Sequence, residues 1–115
     1  MIQWLEPNGR SPAAHPTVSL WRDGRIGLNA AAKELLGAEA VRVGFDPAQN
    51  RVYLAPANGD ARGAFRIHPY KGGRSGYISG TALIARFDPV APYRGELRRD
   101  DDGLYLQLPP RPGRE

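Results

Sequence analysis

The chain has 115 residues, no cysteine and two histidines, with 16 basic against 12 acidic residues and a formal net charge of +4. This length supports one compact domain, and the lack of cysteine excludes a disulfide framework, a thiol nucleophile and cysteine-ligated metal sites. Two histidines are too few for a multi-histidine metal site, and no apolar run reaches the length of about 18 residues that a membrane span needs. The first residues lack the order of a signal peptide, which predicts a cytoplasmic protein.

Prolines and glycines punctuate the whole chain, with 11 of the former and 14 of the latter. This composition predicts short elements joined by many turns rather than a bundle of long helices. Residues 1–16 are expected to form an irregular lead-in, because three prolines interrupt any strand ladder there. Residues 109–115 also contain three prolines and are expected to form a flexible tail.

Residues 17–57 contain four stretches in which apolar and polar residues alternate, as strands do. Between the second and third stretch lies a run of strong helix formers, with Asn29 in front as N-cap and Gly37 behind as a stop. The predicted elements are, in chain order, strands at 18–21 and 25–28, a helix at 30–36, and strands at 40–45 and 51–54.

The same order of elements returns in residues 65–108, after a linker at 58–64. Ser79 is the predicted N-cap of the second helix. The predicted elements are strands at 65–68 and 74–78, a helix at 81–87, and strands at 95–98 and 104–108.

This repeated order predicts an internal duplication. Residues 21–25 correspond to 70–74, and residues 52–56 correspond to 104–109. Low identity between the copies leaves chance similarity as the alternative. A single β-β-α-β-β unit is too small to bury a core, so the two units are predicted to share one. The predicted fold is mainly β with two short helices, a small barrel with a pseudo-two-fold axis.

Residues 20–37 resemble the AbrB/SpoVT swapped-hairpin family. They show that family's order of a strand, a turn ending in Gly24-Arg25, an apolar strand and a short helix ending in Leu36-Gly37. The resemblance covers residues 18–54 well and 65–108 weakly. It implies a barrel completed by two such units, here both in one chain. It therefore also implies a monomer built like a dimer, which binds DNA as a transcriptional regulator.

Basic residues around the two predicted turns are the main candidates for ligand contact. Arg25 and Arg74 follow the turns at positions predicted to be equivalent. On one face of the barrel, their guanidinium groups would suit phosphate recognition. The alternative is that they are solvated turn residues that keep strand edges soluble. The predicted nucleic-acid contacts are Arg22, Arg25, Lys33, Lys71, Arg74 and Arg86.

Two aromatic residues, Trp21 and Tyr70, stand at the same turns. Aromatic rings beside arginines can stack on unpaired bases. The alternative is that these rings close the core at the ends of the strands.

These features predict a non-enzymatic nucleic-acid-binding protein with duplex DNA as the expected partner. No catalytic residue, metal or cofactor is predicted. His68 has no carboxylate or serine placed by the sequence to make it a base, and the run from Asp100 to Gly103 lacks the ligand pattern of a calcium loop. The alternative is a protein-interaction module of the same fold, such as a small phage or accessory factor that binds a larger protein machine. The few basic residues around Lys33 favour that alternative.

Overall fold

Antiparallel strands and two short helices make up the computed structural model, which describes residues 15–60, 62–70, 74–87, 89 and 91–110. The predicted fold class, mainly β with two short helices, is confirmed. The elements are β1 (Thr17–Leu20), β2 (Arg25–Leu28), α1 (Ala30–Leu36), β3 (Ala40–Asp46), β4 (Arg51–Ala57), β5 (Phe65–Arg66), β6 (His68–Pro69), β7 (Gly76–Ser79), α2 (Thr81–Phe87), β8 (Tyr93–Asp100) and β9 (Gly103–Gln107).

The nine strands form one sheet in the order β5-β3-β4-β9-β8-β1-β2-β7-β6. The two ends of this order, β5 and β6, are consecutive in the chain and are separated only by Ile67. The backbone N–H of Ile67 donates to the carbonyl of Glu39, at 2.9 Å. The ends of the sheet therefore meet in one interrupted strand, and the sheet is a nearly closed barrel.

The pairing of the strands has the two-fold pattern that a duplication requires. Hairpins β1-β2 and β3-β4 in the first half correspond to β6-β7 and β8-β9 in the second. Across the halves, β1 pairs with β8, and β5 pairs with β3. Ile26 of β2 pairs with Ile78 of β7. Tyr53 of β4 pairs with Tyr105 of β9, and these two tyrosines are as many positions apart in the sequence as Ile26 and Ile78. Each half thus contributes a strand to the other half's hairpin.

The core lies inside this barrel and draws on both halves. Alternation along each strand turns the apolar residues inward, and burial of each large apolar side chain contributes about 1.5–3 kcal/mol. The helices add Ala32, Leu36 and Leu83. The buried strand and loop residues of this core are Val18, Leu20, Ile26, Leu28, Val41, Val52, Leu54, Ile78, Leu97, Leu104, Leu106 and Leu108.

Helix α1 has the caps that the sequence predicted. The Asn29 side-chain oxygen accepts from the N–H of Ala32 at 2.8 Å and from that of Thr17 at 3.0 Å. Gly37 is left-handed, with φ of 60°, and its N–H donates to the carbonyl of Lys33. Asn29 thereby joins the start of α1 to the start of β1, which stabilises a helix too short to form alone.

The predicted cap of the second helix is wrong. Ser79 is the last residue of β7 and pairs with Arg25, and Gly80 stands directly before α2. The reason is that the ladder between β2 and β7 continues one residue further, because the N–H of Gly80 donates to the carbonyl of Gly24 at 2.7 Å. Helix α2 itself has the predicted bounds. The lead-in up to residue 14, the tail from residue 111, and residues 71–73 lie outside the described residues.

Candidate functional site

Four aromatic side chains gather on the outer face of β2, β6 and β7. The ring centroids of Trp21 and Tyr70 are 5.6 Å apart, and those of Trp21 and Tyr77 are 6.4 Å apart. Tyr70 meets Tyr77 edge-on at 6.4 Å, and the His68 ring lies 5.4 Å from that of Tyr77. Such separations are favourable for aromatic pairs. We call Trp21, His68, Tyr70 and Tyr77 the aromatic cluster.

The strand register and one glycine hold this cluster in place. Gly27 pairs with Tyr77, which pairs in turn with His68, so these positions share the outer face. The indole of Trp21 lies directly over Gly27. A Cβ on Gly27 would stand only 2.7 Å from Cζ2 of that indole. Any residue with a Cβ at position 27 would collide with the indole, so this position of Trp21 requires glycine. The sequence analysis did not give Gly27 a role.

Arg25 completes the cluster on its exposed side. Its guanidinium carbon lies 5.3 Å from the ring centroids of both Trp21 and Tyr77, within cation–π range. Its Nε and Nη2 also contact the Asp23 carboxylate, at 2.7 and 2.6 Å. These hydrogen bonds lower the pKa of Asp23 and raise that of Arg25. Arg25 therefore has fewer donors left for a phosphate than the sequence analysis expected.

A cleft of about 170 Å³ opens beside the aromatic cluster. Trp21 and Tyr70 form its aromatic walls, and both rings are half-buried. Its polar lining includes the hydroxyl-bearing residues Thr17, Ser19 and Ser75 together with Arg94. The cleft thus combines ring surfaces, small hydroxyl groups and one cation.

Arg94 is the charged residue of this cleft that the sequence analysis missed. It lies on β8 opposite Ser19 of β1, and its Nε donates to the Ser19 hydroxyl at 3.2 Å. Arg94 is exposed and forms no ion pair with another described residue. Alternation around the inward-facing Leu97 could have placed it on the outer face. Its proximity to Ser19 depends on a pairing between distant parts of the chain.

The two turns beside the cluster carry further predicted contacts. Arg22 and Arg74 are exposed in the turns that join β1 to β2 and β6 to β7. The sequence separation of the central pair Ile26–Ile78 also separates Arg25 from Tyr77, so those two residues correspond. By the same separation Arg74 corresponds to Arg22, so the predicted equivalence of Arg25 and Arg74 does not fit the register. The reason is that the second turn is longer than the first.

The other predicted contacts are dispersed. Lys33 on α1 places its Cδ 3.1 Å from the point where a Cβ on Gly76 would stand, and Gly76 lines the cleft. Arg86 is exposed on α2, which packs against β3, a strand outside the aromatic cluster. Lys71 lies outside the described residues. The structure therefore brings together Trp21, Tyr70 and Arg25, with Lys33 at the margin.

A second aromatic pair, on β4 and β9, contacts Arg51 and Asp100. The Tyr53 and Tyr105 rings are 5.8 Å apart, and the guanidinium of Arg51 lies 4.2 Å from the Tyr105 centroid. Asp100 accepts from Arg51 at 2.7 Å and from the Tyr53 hydroxyl at 2.6 Å. The hydrogen bond from Tyr53 is the main reason that the pKa of Asp100 is lowered, and it raises the pKa of Tyr53. This group ties β4, β8 and β9 together.

Two further features bear on the kind of site. Within the described residues, no three His, Asp or Glu side chains come close enough together to hold a metal ion. Neither of the two helices in that part of the chain has the length and apolar character needed to cross a membrane.

Comparison of the chain with family models, with curated proteins and with solved structures gives no match.

Proposed function

We propose that this protein is a non-enzymatic nucleic-acid-binding protein, and that its contact surface is the aromatic cluster with the adjoining cleft. The observation that carries the proposal is that Trp21 and Tyr70 form the walls of a cleft that also presents the guanidinium of Arg94. Ring surfaces bind the faces of bases, and arginine matches the geometry of phosphate. Nucleic acid offers both groups side by side.

The charges around the cleft support this ligand. Arg22, Arg74 and Arg94 are exposed and pair with no acidic group among the described residues. Asp23, which lies in the same turn as Arg22, is neutralised by Arg25. Arginines without acidic partners, in the cleft or next to the residues that line it, would displace counterions from a phosphate backbone.

The architecture agrees with the resemblance to the AbrB/SpoVT family. A barrel that two corresponding halves complete by exchanging strands is what the resemblance implies for a chain with both copies. On that basis we propose a role in transcription regulation. The proposed contact surface differs in one respect from the one predicted from the sequence. Arg94 and the aromatic rings, rather than Arg25, are proposed as the main residues that contact the nucleic acid.

Fluorescence polarisation with short labelled DNA at two salt concentrations tests the proposal. The wild-type protein is expected to bind, with affinity that falls as salt rises. The double variant Arg74→Ala/Arg94→Ala is expected to bind at least about tenfold more weakly, at roughly 1 kcal/mol per lost charge-assisted contact. Its salt slope is expected to be shallower by about two.

The matched control is Arg42→Ala/Arg99→Ala. Both arginines are exposed, and neither forms an ion pair with a described residue. They lie outside the cleft and its flanking turns, so the same loss of charge is expected to change the affinity by less than about twofold. If the wild-type protein binds no nucleic acid at low salt, the proposal is wrong, and the protein-interaction module is the better account.

A further inference from the structure

Independently of the proposed function, we infer that Asn58 is a site of self-catalysed deamidation, with the carboxylate of Glu39 as the base. The side-chain amide of Asn58 is converted to an acid, in a reaction that consumes water and releases ammonia. The residue that follows, the register of the strands and the exposure of the amide each favour the reaction at this position.

The dipeptide Asn58-Gly59 has the two parts that this reaction needs. Asparagine is among the thermolabile residues of proteins, because its amide carbon lies within reach of the backbone nitrogen of the next residue. When that nitrogen attacks, a cyclic imide forms. The missing Cβ of glycine leaves the nitrogen open and the backbone free to turn. The amide of Asn58 is exposed and makes no hydrogen bond within the described part of the chain, so no such bond holds it away from Gly59.

Strand pairing brings Glu39 to this dipeptide. Ala40 of β3 pairs with Ala57 of β4. The next position of the same register sets Glu39 opposite Asn58. The Glu39 carboxylate accepts a hydrogen bond from the N–H of Gly59, at 3.2 Å between nitrogen and oxygen. A base has to stand within this reach of the proton that it removes. Glu39 therefore contacts the proton that must leave as the nitrogen attacks.

A cation completes the surroundings of the reacting groups. Arg66 of β5 pairs with Ala40 at the other edge of β3, and its Nη1 lies 3.9 Å from the Glu39 carboxylate. The guanidinium also lies beside Gly59, because a Cβ built there would stand 2.7 Å from Nη2. Negative charge develops on the side-chain oxygen of Asn58 when the nitrogen attacks, and a positive group nearby stabilises that charge.

The reaction has two stages, and its atoms balance. Glu39 takes the proton of the Gly59 N–H while the nitrogen forms a bond to Cγ of Asn58. The bond from Cγ to the side-chain nitrogen then breaks, and ammonia leaves with the transferred proton. Water next opens the imide at either carbonyl and restores an N–H at Gly59. The product is aspartate or isoaspartate at position 58, with no change of oxidation state.

The product differs from the parent protein in charge and in backbone at the point where the halves of the barrel join. A carboxylate at position 58 lowers the net charge by one from its formal value of +4. Isoaspartate adds a carbon to the main chain directly before Gly59. Glu39 contacts Gly59 through its side chain and binds Ile67 through its carbonyl. The change therefore lies beside the bond that joins the ends of the sheet.

Peptide mapping by mass spectrometry tests this inference, because the chain carries a second such dipeptide, Asn8-Gly9, outside the described residues. Trypsin cuts after arginine, which places Asn58 in the peptide 52–62 and Asn8 in the peptide 1–10. The full chain is incubated at neutral pH, and acid formation at both positions is followed by mass, with isoaspartate separated by chromatography. We expect Asn58 to convert with isoaspartate among the products. Glu39→Gln is expected to slow that conversion at least about tenfold, as the loss of a base does.

The variant Glu39→Gln is a matched change, because glutamine keeps a hydrogen-bond acceptor and the shape of the side chain but does not take the proton. The exposed ion pair that it removes contributes little stability. Asn8 is the internal control, and its conversion is expected to be the same in both proteins. Equal rates at Asn58 in the two folded proteins overturn the inference. Conversion to aspartate without isoaspartate also overturns it, because that product indicates direct attack by water.

A comparison in denaturant needs no substitution, so the inference stays testable even if Glu39→Gln fails to fold. In the wild-type protein, denaturant is expected to slow conversion at Asn58 relative to Asn8, because Glu39 meets Gly59 only in the folded chain. An unchanged ratio of the two rates, or no conversion at Asn58 in the folded protein, overturns the inference. Neither result bears on nucleic-acid binding, which is measured separately.

Discussion

Replacing Gly27 with alanine tests the aromatic cluster without altering any ring or charge. The added Cβ would stand 2.7 Å from Cζ2 and 3.1 Å from Cε2 of Trp21. Carbon atoms in contact normally lie about 3.5–4.0 Å apart, so the indole has to lift by roughly 1 Å. Overpacking of this kind costs about 1–3 kcal/mol. Alanine in a strand regains roughly 0.5–1 kcal/mol relative to glycine. The expected net loss of unfolding free energy is therefore about 1 kcal/mol.

The loss is measured as a melting temperature by circular dichroism, with an expected fall of roughly 4 °C. In a variant that also carries Trp4→Phe, Trp21 is the sole tryptophan. There the lifted indole is also expected to emit at longer wavelength because more water reaches it. Gly44→Ala is the matched control. Gly44 is exposed on β3, and a Cβ there would meet nothing within 4 Å. If Gly27→Ala has the same melting temperature as Gly44→Ala and the same emission wavelength as the parent protein, Trp21 does not lie over Gly27 of β2.

Two further predictions concern stability and assembly. Asp100→Asn removes the carboxylate that binds Arg51 and Tyr53, so it is expected to lower the melting temperature at neutral pH. Because folding lowers the pKa of Asp100, the wild-type advantage is present above the ordinary value of 3.8. That advantage is lost as pH falls through the lower folded pKa, so the two melting curves are expected to converge in acid. Since one chain nearly closes the barrel, sedimentation velocity is expected to show a monomer at micromolar concentration, and an obligate dimer would contradict this reasoning.

Local signals account for the parts of the fold that the sequence predicted. The bounds of α1 follow from Asn29 and Gly37, whose hydrogen bonds and left-handed backbone act within one helical turn. Alternation predicted the hairpins, because each is built from neighbouring residues. The break at Ile67 could not be predicted in this way. It depends on a bond to Glu39 in the other half of the chain.

In the candidate site, too, the residues joined by local contacts could be predicted, and the residue joined by pairing of distant strands could not. Trp21 and Arg25 could be predicted together, since they stand at the two ends of one tight turn. Arg94 could not be added to them, because its contact with Ser19 depends on the register between β1 and β8. The ion pair between Arg25 and Asp23 spans only two residues, and it was still missed. Charge patterns alone do not distinguish an arginine that binds its neighbour from one that is available to a ligand.

The exchange of strands between the halves has a consequence for synthesis on the ribosome. Strand β1 can pair with β8, and β4 with β9, only after the second half has been made. At a synthesis rate of about 5–20 residues per second, roughly 4–15 seconds separate the emergence of β1 from that of β8. During that interval the nascent first half has unpaired strands and an uncovered apolar face, including Leu20 and Leu54. Exchange of strands between neighbouring nascent chains on one message therefore competes with closure of each chain's own barrel until β8 and β9 have been made.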